Sequence, residues 1–500
     1  MQMPELAEVA SIIADLGLTM SDADVAAHHA LLGGIIPGYG AMEGLPMGLP
    51  EVTYDRSFSS PDPSQNELGA WYVMTEMERA PGGKLDGKTV AIKDNVFIAD
   101  VPLMNGTRII EGFEPSVDAT IVTRILDAGG EIVGKSVCEA YCTSGASHTS
   151  ETGPVHNPHR HGYSTGGSSS GSGALVGSGA VDLAIGCDQG GSIRIPASWS
   201  GCYGMKPTHG LVPYTGILGM HPSIDYTGPM TSSVEDNALF LEVLAGPDEL
   251  DPRQSGVVVN DYSSALGKGV SGLKIGLLQE GFGTELSEPD VDDAVRAAVD
   301  RLRGLGAEVT TVSVPLHAMG GAILFGVIQS IIAAGLETDG YGFGREDALD
   351  PSFLAAHAGW RERPDDLPET MKNAMILAEM LHRQFGWEFH ARAVNLFRVL
   401  RAAYDVVLSD VDLIALPTTA MKAQPHPPAD APVEVSVGAS WLNLANTSPF
   451  NVSHHPAMSV PCAMRDGLPV GMMLVGRPLE ETTIYSAAHA FEEDIDWRES

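Results

Sequence analysis

Basic residues are scarce in this 500-residue chain: 29 Lys and Arg stand against 64 Asp and Glu, a formal net charge of −35. A chain this negative repels phosphate backbones and anionic headgroups, which argues against nucleic acid and membrane surfaces as partners. Cysteine is scarcer still. Cys138, Cys142, Cys187, Cys202 and Cys462 are an odd set of five with no paired framework, so reduced thiols and a cytoplasmic location are expected. Cys138 and Cys142 have helical spacing but lack the second pair a zinc site needs. The first ten residues hold Glu5 and Glu8 and no basic run, so no secretory signal is expected. One uncharged stretch, 318–336, approaches membrane-spanning length. It contains four glycines, Gln329 and Ser330 and has no Lys or Arg close to either end, so it reads as a buried helix beside a pocket. Metalloprotease, EF-hand and dinucleotide fingerprints are absent from the sequence, so neither metal nor cofactor is implied.

What is present is 44% hydrophobic residues, enough for a large core, and an excess of glycine, 57 in all. Leu6, Val9, Ile12 and Ile13 mark one amphipathic helix. Ser21 and Asp22 can cap a second, predicted to end near residue 32 and to be followed by a Gly- and Pro-rich linker over 33–63. From residue 85 short apolar runs alternate with helical patterns. Strands are predicted over 89–92, 131–133, 183–185, 273–278, 413–416 and 470–475. Helices are predicted over 117–128 and 289–305, the latter with Val291, Val295 and Val299 on one side. This alternation implies an α/β protein with a mixed, mostly parallel central sheet covered by helices on both faces. Two domains are expected: a helical region over residues 1–60, and a catalytic region over 65–495.

Two motifs mislead. Gly129 to Ser136 fits the P-loop letter for letter, yet a helix precedes it and the predicted strand lies inside it, so its N–H groups are not free for phosphate. Gly167-Ser168-Ser169-Ser170-Gly171 fits a nucleophile elbow centred on Ser169, but polar turn-forming residues stand where a buried strand is required. Three histidines, His156, His159 and His161, could serve as a rival base with Asp188 as orienter, or as metal ligands. Their spacing fits a polar loop as well.

The informative segment is 166–208, GGSSSGSGALVGSGAVDLAIGCDQGGSIRIPASWSGCYGMKPT. Together with Ala91-Ile-Lys93-Asp94-Asn95 upstream and the block over 451–477 downstream, it closely resembles the amidase signature family of serine hydrolases. The resemblance covers about residues 65–495 and is most like the amidases associated with nitrile hydratases, which carry an N-terminal helical extension. It implies Ser192 as nucleophile, Ser168 as bridging serine and Lys93 as base, with a cis peptide just before Ser168. Consecutive N–H groups of Gln189, Gly190, Gly191 and Ser192 would form the oxyanion hole. Asp188, Arg194 and Ser169 would support the loop around them.

An unperturbed lysine is protonated at pH 7, so burial is expected to push Lys93 down and acidic side chains to be kept away from it. Segments over 142–146, near 224, over 318–336 and over 443–452 are expected to line the acyl pocket. Cys142 would line it, Ile224, Phe325, Ile328 and Phe450 would supply apolar surface, and Thr143, Gln329 and Asn446 single hydrogen bonds. The expected activity is hydrolysis of neutral carboxamides or aryl amides, small molecules, through an acyl-serine intermediate, by a homodimer joined through residues 1–60. Carbamate or ester hydrolysis, an amidotransferase A-type subunit and a non-catalytic binding module are the alternatives.

Overall fold

A computed structural model describes residues 2–339 and 348–500; the segment 340–347, inside the expected catalytic region, lies outside them. The chain divides into two compact units, Met1–Pro50 and Glu51–Ser500. The first holds α1 (Leu6–Asp15) and α2 (Asp22–Met42). Ser21 Oγ accepts the Asp24 N–H at 3.2 Å, the expected cap. However, α2 does not stop near residue 32. It runs on through Gly33 and Gly34, because helical glycine costs only about 1 kcal/mol and does not forbid the conformation, and it also carries Pro37 at the higher cost of about 3 kcal/mol.

The second unit is built on one twelve-stranded sheet. Its strands are β1 (Arg56–Ser59), β2 (Trp71–Met77), β3 (Thr89–Lys93), β4 (Glu131–Ser136), β5 (Leu183–Cys187) and β6 (Tyr203–Lys206). Then come β7 (Thr227–Thr231), β8 (Lys274–Leu278), β9 (Glu308–Val312), β10 (Leu413–Pro417), β11 (Ala457–Arg465) and β12 (Leu468–Val475). Their order across the sheet is β1-β2-β4-β3-β5-β7-β6-β11-β12-β10-β8-β9. The sheet is mixed as expected, but not mostly parallel. Only β3/β4, β3/β5, β8/β10 and β8/β9 pair in parallel. The other seven neighbouring pairs are antiparallel. The parallel pairs involve β3, β4, β5, β8 and β10, whose apolar runs are easy to see, and the more exposed β9, which was not predicted. β6, β7 and β11, which fill the centre, carry Gly, Pro and Ser and were not legible as strands.

Side-chain alternation shows why both faces are covered. Val90 and Ile92 of β3, with Leu183 and Ile185 of β5, pack on one side with helices α3 (Thr120–Asp127), α6 (Val234–Leu244) and α7 (Pro289–Gly304). The intervening Ala91 and Ala184 pack on the other with α4 (Ser170–Gly177) and α5 (Arg194–Ser200). The supposed P-loop is β4 itself, so its N–H groups serve the sheet. β3, β4 and β5 are parallel, so Lys93, Ser136 and Cys187 end on one edge of the sheet, where α/β folds place ligands. Just past that edge Asp94 Oδ1 meets Lys135 Nζ at 2.8 Å, both side chains almost fully buried. Burial favours the neutral form of each and their mutual attraction opposes it. Removing one charge leaves the other unpaired in the core. Asp94→Asn is therefore expected to cost about 3–5 kcal/mol, read as a lower urea midpoint at unchanged slope; a cost under about 1 kcal/mol would show the pair to be solvated.

Candidate active site

Lys93 closes β3 with no exposed surface, and its Nζ donates to Ser168 Oγ at 2.8 Å and to Cys187 O at 3.2 Å. The amine therefore ties the end of β3 to the serine-rich loop and to β5. Ser168 sits in that loop just before α4, and the Gly167–Ser168 peptide is cis, as the resemblance implies. A Cβ at Gly167 would strike the Ala146 and Ser144 carbonyls and Glu139 Cγ. Glu139, which sequence reasoning did not single out, clamps this region. Its N–H donates to Ser168 O at 3.1 Å, and its carboxylate accepts from Thr149 and from Ser170 Oγ. Burial raises that carboxyl to about 7.

Ser192 lies just before α5, and its carbonyl accepts the Ser169 N–H at 3.3 Å, which joins the two serine segments. Among the described residues, the N–H groups of Gln189, Gly190, Gly191 and Ser192 have no hydrogen-bond partner. Gly191 has φ +144°, and a Cβ there would overlap Thr447 and Ile195. At Gly190 a Cβ would crowd Leu324 in the adjoining cavity. Thr447, also not singled out, donates through Oγ1 to Gly190 O at 2.6 Å and so orients the segment.

Asp188 and Arg194 brace it from behind. Arg194 Nε and Nη2 each donate to one Asp188 oxygen at 3.0 Å, Asn451 Nδ2 donates to Oδ1 at 2.7 Å, and Ile193 N–H to Oδ2 at 3.1 Å. Burial would raise this carboxyl, but Arg194 and the hydrogen bonds hold it at about 2. Asp188 is a fixed anion, with its oxygens committed to the loop. Asn451 could have been suspected as a lone amide opening an apolar block.

The electrostatics around Lys93 correct one expectation. Acidic side chains are indeed turned away: Asp94 faces Lys135 and the N–H groups of Met104 and Asn105. Cysteines take their place. Burial disfavours the ammonium, but the sulfurs of Cys142, Cys187 and Cys138 outweigh it and hold Lys93 above the usual lysine value. Cys142 is drawn down to about 6, first by its contact with Cys138 and then, against burial, by Lys93.

A cavity opens in front of Ser192, lined by the expected Cys142, Thr143, Ile224, Phe325 and Ile328, together with Gln189 and Gly190. Leu324, Trp441 and Leu444 complete its apolar wall, with Phe325 and Trp441 edge to face at 5.4 Å. The 318–336 stretch is buried beside this pocket as expected, though broken into α8 (Gly320–Phe325), α9 (Ile328–Ile332) and a π turn. Three expected pocket residues are elsewhere. Gln329 is one residue round the helix from Ile328 and donates to Gly386 O at 3.0 Å. Asn446 donates to Gly281 O and Pro417 O, and Phe450 is core, 4.8 Å from the Tyr404 ring. Single-residue choices in such segments turn on local backbone orientation, which their uncharged sequence does not fix.

The rival readings are not assembled. Ser169 Oγ is locked to the Cys187 backbone, donating to its O and accepting from its N, both at 3.2 Å. His159 Nε2 bonds the Ser200 carbonyl, and His156 stacks on His161 at 3.8 Å.

A family model for amidases matches residues 63–485. The chain belongs to the amidase signature family. This amidase is 43% identical over 448 residues to an enantioselective amidase of Rhodococcus rhodochrous, covering 88% of this chain and 86% of that one. It is 35% identical over 419 residues to the A subunit of the glutamyl-tRNA(Gln) amidotransferase of Synechococcus sp. (strain CC9902), covering 83% and 84%. Among solved structures it is similar to a bacterial aryl acylamidase of the amidase signature family, with TM-score 0.73, 27% identity and coverage of 83% and 84%. The A subunit from Thermotoga maritima gives TM-score 0.70 at 28% identity, covering 86% and 90%. It is accordingly an amide hydrolase, acting on small molecules. Because Gly191 has a conformation and a neighbour that exclude a side chain, Gly191→Ala is expected to displace the 189–192 segment. Turnover of a primary amide should fall by about two orders of magnitude, measured by steady-state kinetics, with the far-UV circular dichroism unchanged.

Proposed function

We propose that this amidase cleaves neutral, apolar carboxamides through an acyl-serine intermediate. The observation that carries the reading is the buried Lys93–Ser168 hydrogen bond of 2.8 Å, joined through the Ser169–Ser192 backbone bond to an apolar cavity that Ser192, Gln189 and Gly190 line. In this reading Ser192 Oγ attacks the carbonyl carbon, and its proton passes by way of Ser168 to Lys93. The carbonyl oxygen gains charge facing the N–H groups of 189–192. The proton returns through Ser168 to the leaving nitrogen as the C–N bond breaks. Water then repeats the sequence on the ester. Among the described residues no Arg or Lys lines the cavity, so a substrate carboxylate would enter without a partner. The nearest suspect by sequence, Arg160, instead lies over the Tyr163 ring at 4.4 Å. A tRNA-directed role is disfavoured by the charge of −35.

The decisive experiment is fluorophosphonate labelling with mass mapping. Label should fall on Ser192 and vanish in Ser192→Ala, which should also lose at least about 10⁴-fold in turnover; label on Ser169 would refute the assignment. Benzamide should exceed the half-amide of a dicarboxylic acid in kcat/KM by tenfold or more.

The base requires unprotonated Lys93, so activity rises with pH through the pKa of that amine. The cysteine sulfurs hold it high. Cys142→Ala is therefore expected to move the rising limb of the kcat/KM profile to lower pH; an unmoved limb would show that Cys142 does not set it.

The reading extends to assembly. Leu6, Ile12, Leu16, Leu31, Ile35 and Tyr39 are exposed on the two N-terminal helices, an apolar surface suited to a second copy of the chain. Light scattering should find a dimer, and a monomer after deletion of residues 1–50.

A further inference from the structure

A second cavity adjoins the first. It shares Cys142, Thr143, Met220 and Ile331 with it, and these four residues form the partition. Beyond them it is lined, among the described residues, by apolar side chains that include Ile110, Leu218, Phe353 and Met371. Among the described residues, several of its polar groups are already committed. Tyr141 Oη is paired with His357 Nε2 at 3.0 Å, and Asn105 Oδ1 accepts the thiols of both Cys138 and Cys142 at 3.6 Å. What the lobe offers a ligand is mainly apolar surface.

Its position says which part of a substrate would reach it. The first cavity contains the 189–192 segment and Ser192, so the acyl carbon and its oxygen lie there. The second contains neither; it wraps around the lysine side. Asn105 donates its N–H to the carboxylate of Asp94, the neighbour of Lys93, at 2.9 Å, and Leu218 O accepts from Asn95 Nδ2 at 3.0 Å. The partition residue Cys142 is tied to the serine loop through Glu139: its N–H donates to Glu139 O at 2.8 Å, and Glu139 N–H donates to Ser168 O at 3.1 Å. Tyr141 and Cys142, at φ +51° and +56°, turn the chain sharply at this junction. Breaking the amide C–N bond while the Ser192 O–C bond holds requires a proton on the departing nitrogen, or it would leave as an amide anion. That proton comes from the Lys93–Ser168 pair. The departing nitrogen therefore faces that pair, and a substituent on it points past Cys142 into the second lobe.

Resting on the acyl-serine reading above, we infer that the lobe behind Cys142 is a leaving-group subsite for an apolar N-substituent, and that secondary amides such as anilides are substrates alongside primary amides. Gly335 lines this lobe, and a Cβ there meets no atom of the described residues within 4 Å, so the lobe can be filled from that position without a clash with them at its root.

The test compares benzamide, N-phenylbenzamide and 4-phenylbenzamide, which extend the substrate on neither side, the nitrogen side and the acyl side. Wild-type kcat/KM for the anilide should lie within tenfold of that for benzamide. Gly335→Phe should lower the anilide value by tenfold or more and leave benzamide within threefold. Should that variant not fold, Met371→Phe fills the lobe from another wall, and the wild-type comparison stands without either. Turnover of benzamide with none of the anilide would overturn the subsite while leaving the acyl-serine reading intact. Loss confined to 4-phenylbenzamide would make the lobe an acyl extension and overturn it equally. Failure on all three substrates, with no labelling of Ser192, would refute the reading beneath it.

Discussion

The site depends on housing a primary amine with no exposed surface next to a serine hydroxyl. A buried amine draws any nearby carboxylate into an ion pair, and an ion-paired lysine accepts no proton. Here the adjacent carboxylate in sequence, Asp94, is occupied by Lys135 and two backbone N–H groups. The parallel register of β3 and β4 makes this possible, because it sets Ile92 beside Lys135 and Lys93 beside Ser136, and so brings Asp94 within reach of the lysine one strand over. The second buried lysine is thus part of what keeps the first one free of carboxylates. Sulfur then becomes the nearest source of negative charge, and the state of Lys93 is tied to that of Cys142.

A second constraint acts on the 189–192 segment. Its N–H groups have to stay unpaired and convergent, which the backbone would otherwise avoid by folding onto itself. Asp188 holds the segment from one end through Arg194, Ile193 and Asn451, and Thr447 holds it from the other through Gly190 O. Both Thr447 and Asn451 come from the C-terminal part of the chain, more than 250 residues away. The site is therefore assembled only when β11, β12 and the segment before them have closed onto α5. Two clamps of opposite ends also explain why Gly191 tolerates no Cβ, since the loop has nowhere to shift.

The catalytic candidates were legible because each sits in a motif dense in glycine and serine, where local sequence dictates local backbone. β3, β4, β5, β8 and β10 were legible for a similar reason: they are largely buried, and a short apolar run bounded by turns has one reading, whereas the mostly exposed β9 was missed. β6, β7 and β11 were not, since their Gly, Pro and Ser residues pack tightly between neighbours that only the fold supplies. The pocket residues divide the same way. Ile224, Phe325 and Ile328 face the cavity while Gln329, Asn446 and Phe450, from equally uncharged stretches, do not. No periodic contrast along those segments marks the inward side.

By itself, then, the sequence determined the family, the candidate residues Lys93, Ser168 and Ser192, and the α/β class, because these rest on short-range patterns of residue type. Tertiary structure alone decided three things. It set the direction of most strand pairings, the identity of the groups that charge or brace the site, and the division of the cavity at Cys142 into two lobes. Each of these is a relation between residues far apart in the chain, and such distances are fixed by packing, which no local pattern encodes.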